Sequence, residues 1–300
     1  MTEVAGVDIG GTKIAVATVD ASGSITAEAH APTPSQAGPE AILDAVAALI
    51  GGLGRDVEAV GVGSAGSIDP HSGSVMFATD AIPGWAGTAL KSQLRQRLHV
   101  PVAVDNDVHA HALGEYAYGR LAGADCVLFV TVGTGIGGSI LLRGKVHHGK
   151  HAIAGHLGHL PAPDATGRRC PCGVLGHVEA VASGPAMVDT YHGRGGGHAA
   201  DLAEVNARAD AGDELADAVI VAGAAALGRV LGGLVNLLDP DSVVVAGGVT
   251  ICGDRWWNAL RDSTNQQVMP ALSSVPIQSS SLGKYGALLG AASMARKELK

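Results

Sequence analysis

A carboxylate at the end of an apolar strand is the part of this chain best suited to chemistry. Pro101-Val102-Ala103-Val104 is β-branched and strand-like, and it breaks into Asp105-Asn106-Asp107 before Val108 to Leu121, which reads as a helix. In α/β folds ligands collect outside the carboxyl ends of strands, and a carboxylate there can take a proton from a hydroxyl held in front of it. Residues of these types also cap helices. One cap needs one residue, so the excess polarity at this strand end points to a site.

Two further stretches suit a polyphosphate. Val4 to Ile9 reads as a strand, Gly10-Gly11-Thr12-Lys13 as a turn, and Ile14 to Val19 as a second strand. Cys126 to Val132 is apolar and ends in Gly133-Thr134-Gly135-Ile136-Gly137-Gly138, after which Ser139 to Leu142 is strand again. Neither is a Walker loop or a dinucleotide fingerprint, because both motifs must open a helix. Both are instead strand, Gly/Thr bend, strand, and two such bends can offer backbone N–H groups and Thr hydroxyls to phosphate. A Gly247-Gly248 pair follows the apolar run Ser242 to Ala246. It lets a flat ring approach the backbone, although a plain strand-to-loop turn explains the pair equally well taken alone.

Metal chemistry is suggested by His159, Cys170, Cys172 and His177, two cysteines and two histidines within 19 residues. This donor set suits tetrahedral Zn²⁺, and four protein ligands close the shell, so the metal is read as structural. Glu179 and His156 flank the cluster and could orient a polyhydroxylated ligand.

The elements that must position these groups alternate strand and helix. Pro39 to Leu53 reads as an amphipathic helix, Val57 to Val62 as a strand ending in Gly63-Ser64-Ala65-Gly66, and Leu90 to Leu98 as a short helix. Glu179 to His192 is a helix broken at Ser183-Gly184-Pro185, Asp213 to Leu238 a long alanine-rich one, and Tyr285 to Lys297 the last. This is an α/β pattern with mixed sheets. The 300 residues allow one large domain or two medium ones, and 47% hydrophobic with 3% aromatic content implies a core of Ala, Val, Leu and Ile. The 44 glycines are spread over many loops. A net charge of −8 without a basic run argues against nucleic acid as a partner. No basic-then-apolar leader and no span of about 18 uninterrupted apolar residues is present, so a soluble, cytoplasmic protein with no membrane partner is expected. Four cysteines, two of them a single residue apart, are not a disulfide framework.

In their order, Asp8-Ile9-Gly10-Gly11-Thr12-Lys13, Asn106-Asp107, Gly133 to Gly138, Gly158-His159, Cys170-x-Cys172-Gly-x-x-Gly and Glu179 resemble the motifs of the ROK family of sugar kinases, from Val4 to about Ala295. The resemblance implies an actin-like (ribonuclease H-like) ATPase fold of two lobes, each a mixed sheet flanked by helices, with a cleft between. Residues 1–115 with 284–300 would form a smaller N-terminal lobe, and 116–283 a larger one carrying a zinc loop. It implies transfer of ATP's terminal phosphoryl to a sugar hydroxyl, with Asp107 as general base. Sugar contacts would come from Gly66, Asp80, Asn106, Asp107, His156, His159 and Glu179. Asp8, Gly10, Gly11, Thr12, Lys13, Gly133, Thr134, Gly135 and Gly137 would hold phosphates and Mg²⁺, and Gly247-Gly248 the adenosine. Homodimers or homotetramers are common in the family.

Three departures bear on the acceptor. His177 stands where a third cysteine is usual, and imidazole is a competent zinc ligand. His156 in Ala154-Gly155-His156-Leu157-Gly158-His159 replaces the Glu of ROK glucokinases and resembles bacterial N-acetylmannosamine kinases. An imidazole there changes the charge and space beside the sugar's C1–C2 edge, which suits a 2-acetamido group. Asp80 stands where glucokinases tend to have Asn, a change with no physical reading. Glucokinase is the alternative within kinases. A sugar-responsive ROK regulator would carry a helix-turn-helix ahead of Val4, where three residues stand, and a zinc hydrolase would need an open metal position.

Overall fold

The computed structural model describes residues 3–79 and 82–299. The chain opens with β1 (Val4–Ile9), β2 (Lys13–Val19) and β3 (Ile25–Pro32), then helix α1 (Pro39–Gly52). There follow β4 (Val60–Ser64), the short β5 (Ser67–Ile68) and β6 (Val75–Phe77), α2 (Leu90–Leu98), β7 (Val102–Asn106) and α3 (Asp107–Tyr118). A second run begins with β8 (Cys126–Val132), β9 (Ile136–Leu142) and β10 (Lys145–Val146). Helices α4 (Glu179–Ala182), α5 (Gly184–Gly193), α6 (Leu202–Asp210) and α7 (Glu214–Leu238) come next. β11 (Ser242–Ala246), α8 (Gly253–Asn265), β12 (Ile277–Ser279) and α9 (Gly286–Lys297) complete the chain.

The two large sheets repeat one topology. Their strand orders are β3-β2-β1-β4-β7 and β10-β9-β8-β11-β12. In the first, β1 pairs antiparallel with β2, and β2 with β3, while β1, β4 and β7 run parallel. In the second, β9 and β10 are antiparallel, and β11 runs parallel to both β8 and β12. A duplicated mixed sheet of this order, flanked by helices, is the actin-like, ribonuclease H-like ATPase fold.

The chain divides into two compact units. Met1–Ala124, Ser139–Ala154 and Ser280–Lys300 form one, and Asp125–Gly138 with Gly155–Ser279 form the other. This division differs from the expected one. Residue 115 falls inside α3, and a cooperative helix stays whole. The outer part of the β9–β10 hairpin and the loop after it also group with the first unit, which is therefore the larger.

The first unit's core is aliphatic, with Val7, Ile9, Ile14, Val16, Ile42, Val46 and Val62 all fully buried. Trp85 is fully buried in it, and its indole N–H donates to Ser64 Oγ at 3.1 Å, fixing the carboxyl end of β4. Glycine lets helix and sheet backbones nearly touch here. A Cβ at Gly61 would strike the carbonyl of Ala291 in α9. In the second unit α7 is long and apolar enough to cross a membrane, yet most of that stretch is buried within the protein. Its Gly228 lies against Leu260 and Ser263 of α8, as suits a core helix.

Candidate active site

β7 runs into α3 without a loop. Asn106 is the cap: its Oδ1 accepts the N–H groups of Val108 and His109 at 2.9 and 3.2 Å. Its amide donates to the Gly66 carbonyl at 2.9 Å and to Asp107 Oδ1 at 2.8 Å. Gly66 takes φ +95°, a left-handed value that favours glycine. Every polar atom of Asn106 is thus committed to holding the turn. Asp107, the first helical residue, also accepts the Val108 N–H through Oδ1, at 2.9 Å. Burial pushes its carboxyl up to about 6, against the hydrogen bond from Val108 N–H.

Asp8 lies at the carboxyl end of β1. Strand register sets it beside Gly63 of β4, and Gly63 beside Asp105 of β7. Gly63 makes room for the next turn, since a Cβ there would come 3.2 Å from the Asp107 Cα. Burial and then the charge of Asp107 raise the Asp8 carboxyl to about 7, with Lys13 opposing both. Carboxylates poised near neutrality at parallel strand ends mark a candidate site on physical grounds.

The first bend, Gly10-Gly11-Thr12, is closed by the Gly10 N–H donating to the Lys13 carbonyl at 3.0 Å. Thr33 braces it, its hydroxyl donating to the Gly10 carbonyl at 2.7 Å. Thr12 and Lys13 are exposed.

The second unit carries a bend of the same length, Gly133-Thr134-Gly135, closed by Gly133 N–H donating to the Gly135 carbonyl at 2.9 Å. It is braced by α4 and α5. Gly184 N–H donates to the Gly133 carbonyl at 2.9 Å, and Glu179 Oε2 accepts the Ile136 N–H at 2.7 Å. Glu179 Oε1 lies 3.5 Å from Cys170 Sγ, so this carboxylate, expected beside the sugar, ties bend to metal loop. Gly137 lies within β9.

A cavity of about 670 Å³ opens beside this bend, lined by Gly133, Thr134, Gly184, Pro185, Gly248 and Val249 among others. That is the size of a small-molecule site. Gly247, at φ +104°, packs its backbone against that of Val132 where β8 and β11 end. The N-terminus of α5 contributes its dipole, which favours an anion. The α5 wall, with Asp189 and His192, was not anticipated from sequence. The Ser183-Gly184-Pro185 break was its signal.

The metal donors gather as the sequence suggested. Ligand atoms of His159, Cys170, Cys172 and His177 all lie within 4.8 Å of one another. Cys170 Sγ is 3.6 Å from His159 Nδ1, and Cys172 Sγ is 3.2 Å from His177 Nδ1. Donors bound to one tetrahedral Zn²⁺ would be about 3.5 Å apart. Burial pushes the Cys170 thiol up to about 12, so a thiolate there needs a cation beside it. Backbone bridges Pro161–His177 and Arg169–Leu175 hold the loop, and the four donors fit Zn²⁺. The His156 ring stacks on that of His159, centroids 6.5 Å apart. Asp80 lies outside the described residues.

Comparison with known proteins agrees with this geometry. Residues 4–298 match the model of the ROK family. The chain is 34% identical to a glucokinase of Streptomyces coelicolor over 97% of each chain. It is also 34% identical, over the whole of both chains, to an N-acetylmannosamine kinase of Escherichia coli O1:K1. The crystal structure of a ROK glucokinase from Streptomyces griseus in complex with glucose and AMPPNP superposes with a TM-score of 0.85 at 34% identity, covering 98% of this chain and 99% of that one. From the twin sheets, the Asn106-Asp107 turn and these matches together, the chain belongs to the ROK family.

Proposed function

We propose that this ROK-family chain is an ATP-dependent sugar kinase that phosphorylates the 6-hydroxyl of a hexose, with N-acetylmannosamine the preferred acceptor. Asp107 carries the reading. It is a half-buried carboxylate at a strand end, held through Oδ1 by the Asn106 amide and the Val108 N–H and poised at about 6. A relative described with glucose and AMPPNP supports a sugar and an ATP-type nucleotide as substrates.

In the reaction, Asp107 accepts the proton of the 6-hydroxyl as that oxygen bonds to the terminal phosphorus and the bond to ADP breaks. Positioning and charge neutralisation supply the rest. Asn106 aims the base. The Gly133–Gly138 bend holds phosphate through backbone N–H groups, the α5 N-terminus adds only its dipole, and Gly247-Gly248 admits the adenosine. Asp8 suits the nucleotide's Mg²⁺, its carboxyl raised to about 7 by burial and by the neighbouring Asp107. The ion supplies charge neutralisation when bound. His159, Cys170, Cys172 and His177 would hold a structural Zn²⁺.

His156 supports the acetamido sugar, because an imidazole in place of a carboxylate removes a hydrogen-bond acceptor suited to an unsubstituted hexose. Glucokinase is the second reading, favoured by the equal identity to the S. coelicolor enzyme. A coupled ADP-release assay across glucose, mannose, N-acetylglucosamine and N-acetylmannosamine separates them. N-acetylmannosamine should turn over best, and His156→Glu should move selectivity towards glucose. Turnover on glucose with none on acetamido sugars would overturn the acceptor, and no sugar-dependent ADP at all would overturn the kinase.

A further inference from the structure

Beside the catalytic turn, Asp105 joins two histidines. Its Oδ1 accepts the Asn106 N–H at 2.7 Å and faces His109 Nδ1 at 2.8 Å, while its Oδ2 faces His148 Nε2 at 2.8 Å. The His109 and His148 rings meet edge to face, centroids 5.2 Å apart. Two imidazoles and a carboxylate could also bind a divalent ion, and distance decides between the readings. Nitrogen and oxygen donors on one tetrahedral ion at bond lengths near 2.0–2.1 Å stand about 3.3 Å apart. A separation of 2.8 Å is that of a charge-assisted hydrogen bond. Asp105, His109 and His148 are a proton-bridged trio.

His148 belongs to a loop whose first residue is held by its backbone, His147 N–H donating to the Ile140 carbonyl at 2.8 Å. From His147 to Ile153 the loop is exposed at every residue except His148 and Ala152. Ala152 is buried with φ +55°, a value uncommon for alanine, and Ala154 N–H closes the loop onto the His148 carbonyl at 3.1 Å. The chain then runs directly into Gly155-His156. At the other end of the hydrogen bond, Asp105 is the residue before Asn106-Asp107. One carboxylate therefore fixes both the turn carrying the base and the loop leading to His156.

We propose that His148 is a positioning residue whose imidazolium, seated on Asp105, straps the 147–154 loop to the strand end bearing Asn106 and Asp107, so that acceptor affinity depends on its proton. The proposal rests on the kinase reading, with Asp107 as base. Among the described residues, Asp105 from β7 and His109 from α3 are the titratable groups that meet His148. His109 has 1% of its side chain exposed and needs only an Nδ1 proton for its bond, whereas His148 keeps 23% exposed. The trio's positive charge therefore belongs on His148. Burial opposes the charge on Asp105, but hydrogen bonds from His109 and His148 prevail and hold it at about 2. The bond to Asp105 in turn raises the His148 pKa. The strap is complete below the ordinary histidine range and is lost as pH rises through the raised value.

The test combines sugar kinetics against pH with amide hydrogen exchange of the 147–154 segment, in the full chain. Wild-type KM for the sugar should rise on the alkaline side, with kcat unchanged. His148→Ala should raise KM about ten-fold at acid and neutral pH, the scale of one charge-assisted hydrogen bond, and speed exchange in 147–154. His148→Gln keeps a donor without a titrating charge, so its KM should be flat with pH and lie between the two. A His148→Ala enzyme with the wild-type KM profile, or one that loses kcat alone, overturns the proposal. A wild type that phosphorylates no sugar defeats only the kinase reading. Exchange then decides the strap, and unchanged exchange in His148→Ala overturns it.

Discussion

The two glycine–threonine bends are the same device on two copies of one sheet, yet their surroundings differ. Gly10-Gly11-Thr12 is flanked by charge: Asp8 precedes it, Lys13 follows, and Asp107 is close enough to raise the Asp8 carboxyl. Gly133-Thr134-Gly135 has only Val132 and Ile136 at its ends, opens onto a cavity, and is braced by Glu179 and α5. In the proposed reaction the first unit's ionisable side chains would serve proton and cation chemistry. The second reduced the bend to bare backbone, which suits phosphate oxygens and a flat base. Duplicating a fold duplicates a scaffold, and side chains then divide the labour.

The largest test of this division is Asp107→Ala. It should lower kcat by about 10²–10⁴-fold, roughly 3–5 kcal/mol of barrier, with nucleotide affinity retained. Near-normal turnover in a folded variant would erase the distinction. Next come matched glycine substitutions. Gly247→Ala forces alanine to φ +104° against the Val132 backbone and should weaken AMPPNP binding at least about ten-fold by calorimetry. Gly10→Ala meets only the Lys13 carbonyl at 3.3 Å, and should change the same affinity less than about three-fold. Equal losses would mean that the bends share the nucleotide alike.

Zinc removal should act on the second unit alone. Chelation should speed amide exchange across residues 156–179 and lower Tm by a few degrees, while the β7–α3 turn keeps its protection. The smallest effect concerns stability against pH. The Asp8 and Asp107 carboxyls titrate above the unfolded value, so the native state holds more protons than the unfolded one between about pH 4 and 7. Their contribution therefore makes stability fall as pH rises through that window. Asp8→Asn should raise Tm by a few degrees at pH 8 and leave it unchanged near pH 4.

Much of this was legible in sequence, for identifiable reasons. α2, β8 and β11 fall on the expected residues, because strongly apolar or periodic runs end at polar or glycine signals. β3 was not read as a strand: Ile25–Pro32 is half-exposed along its length and rich in alanine, with weak β-propensity. α6 and α8 were missed as well, both being polar helices defined by what they pack on. Asp107 could be singled out because polarity exceeded what a cap needs, and the structure assigns that cap to Asn106. The metal quartet was legible because its donors cluster in the chain. Asp105 and His148 lie 43 residues apart, and only tertiary structure joins them. Glycine count alone points to loops, whereas Gly6, Gly61 and Gly290 lie within β1, β4 and α9 and permit close backbone contact.

The most direct measurement is kcat for sugar-dependent ADP release by the wild-type enzyme as pH is lowered. Turnover should fall with a single acid limb near 6, where burial sets the Asp107 carboxyl, and Asp8 titrating near 7 should broaden its upper shoulder. A rate that stays flat well below that value, with the enzyme still folded, would show that no carboxylate at position 107 takes the proton.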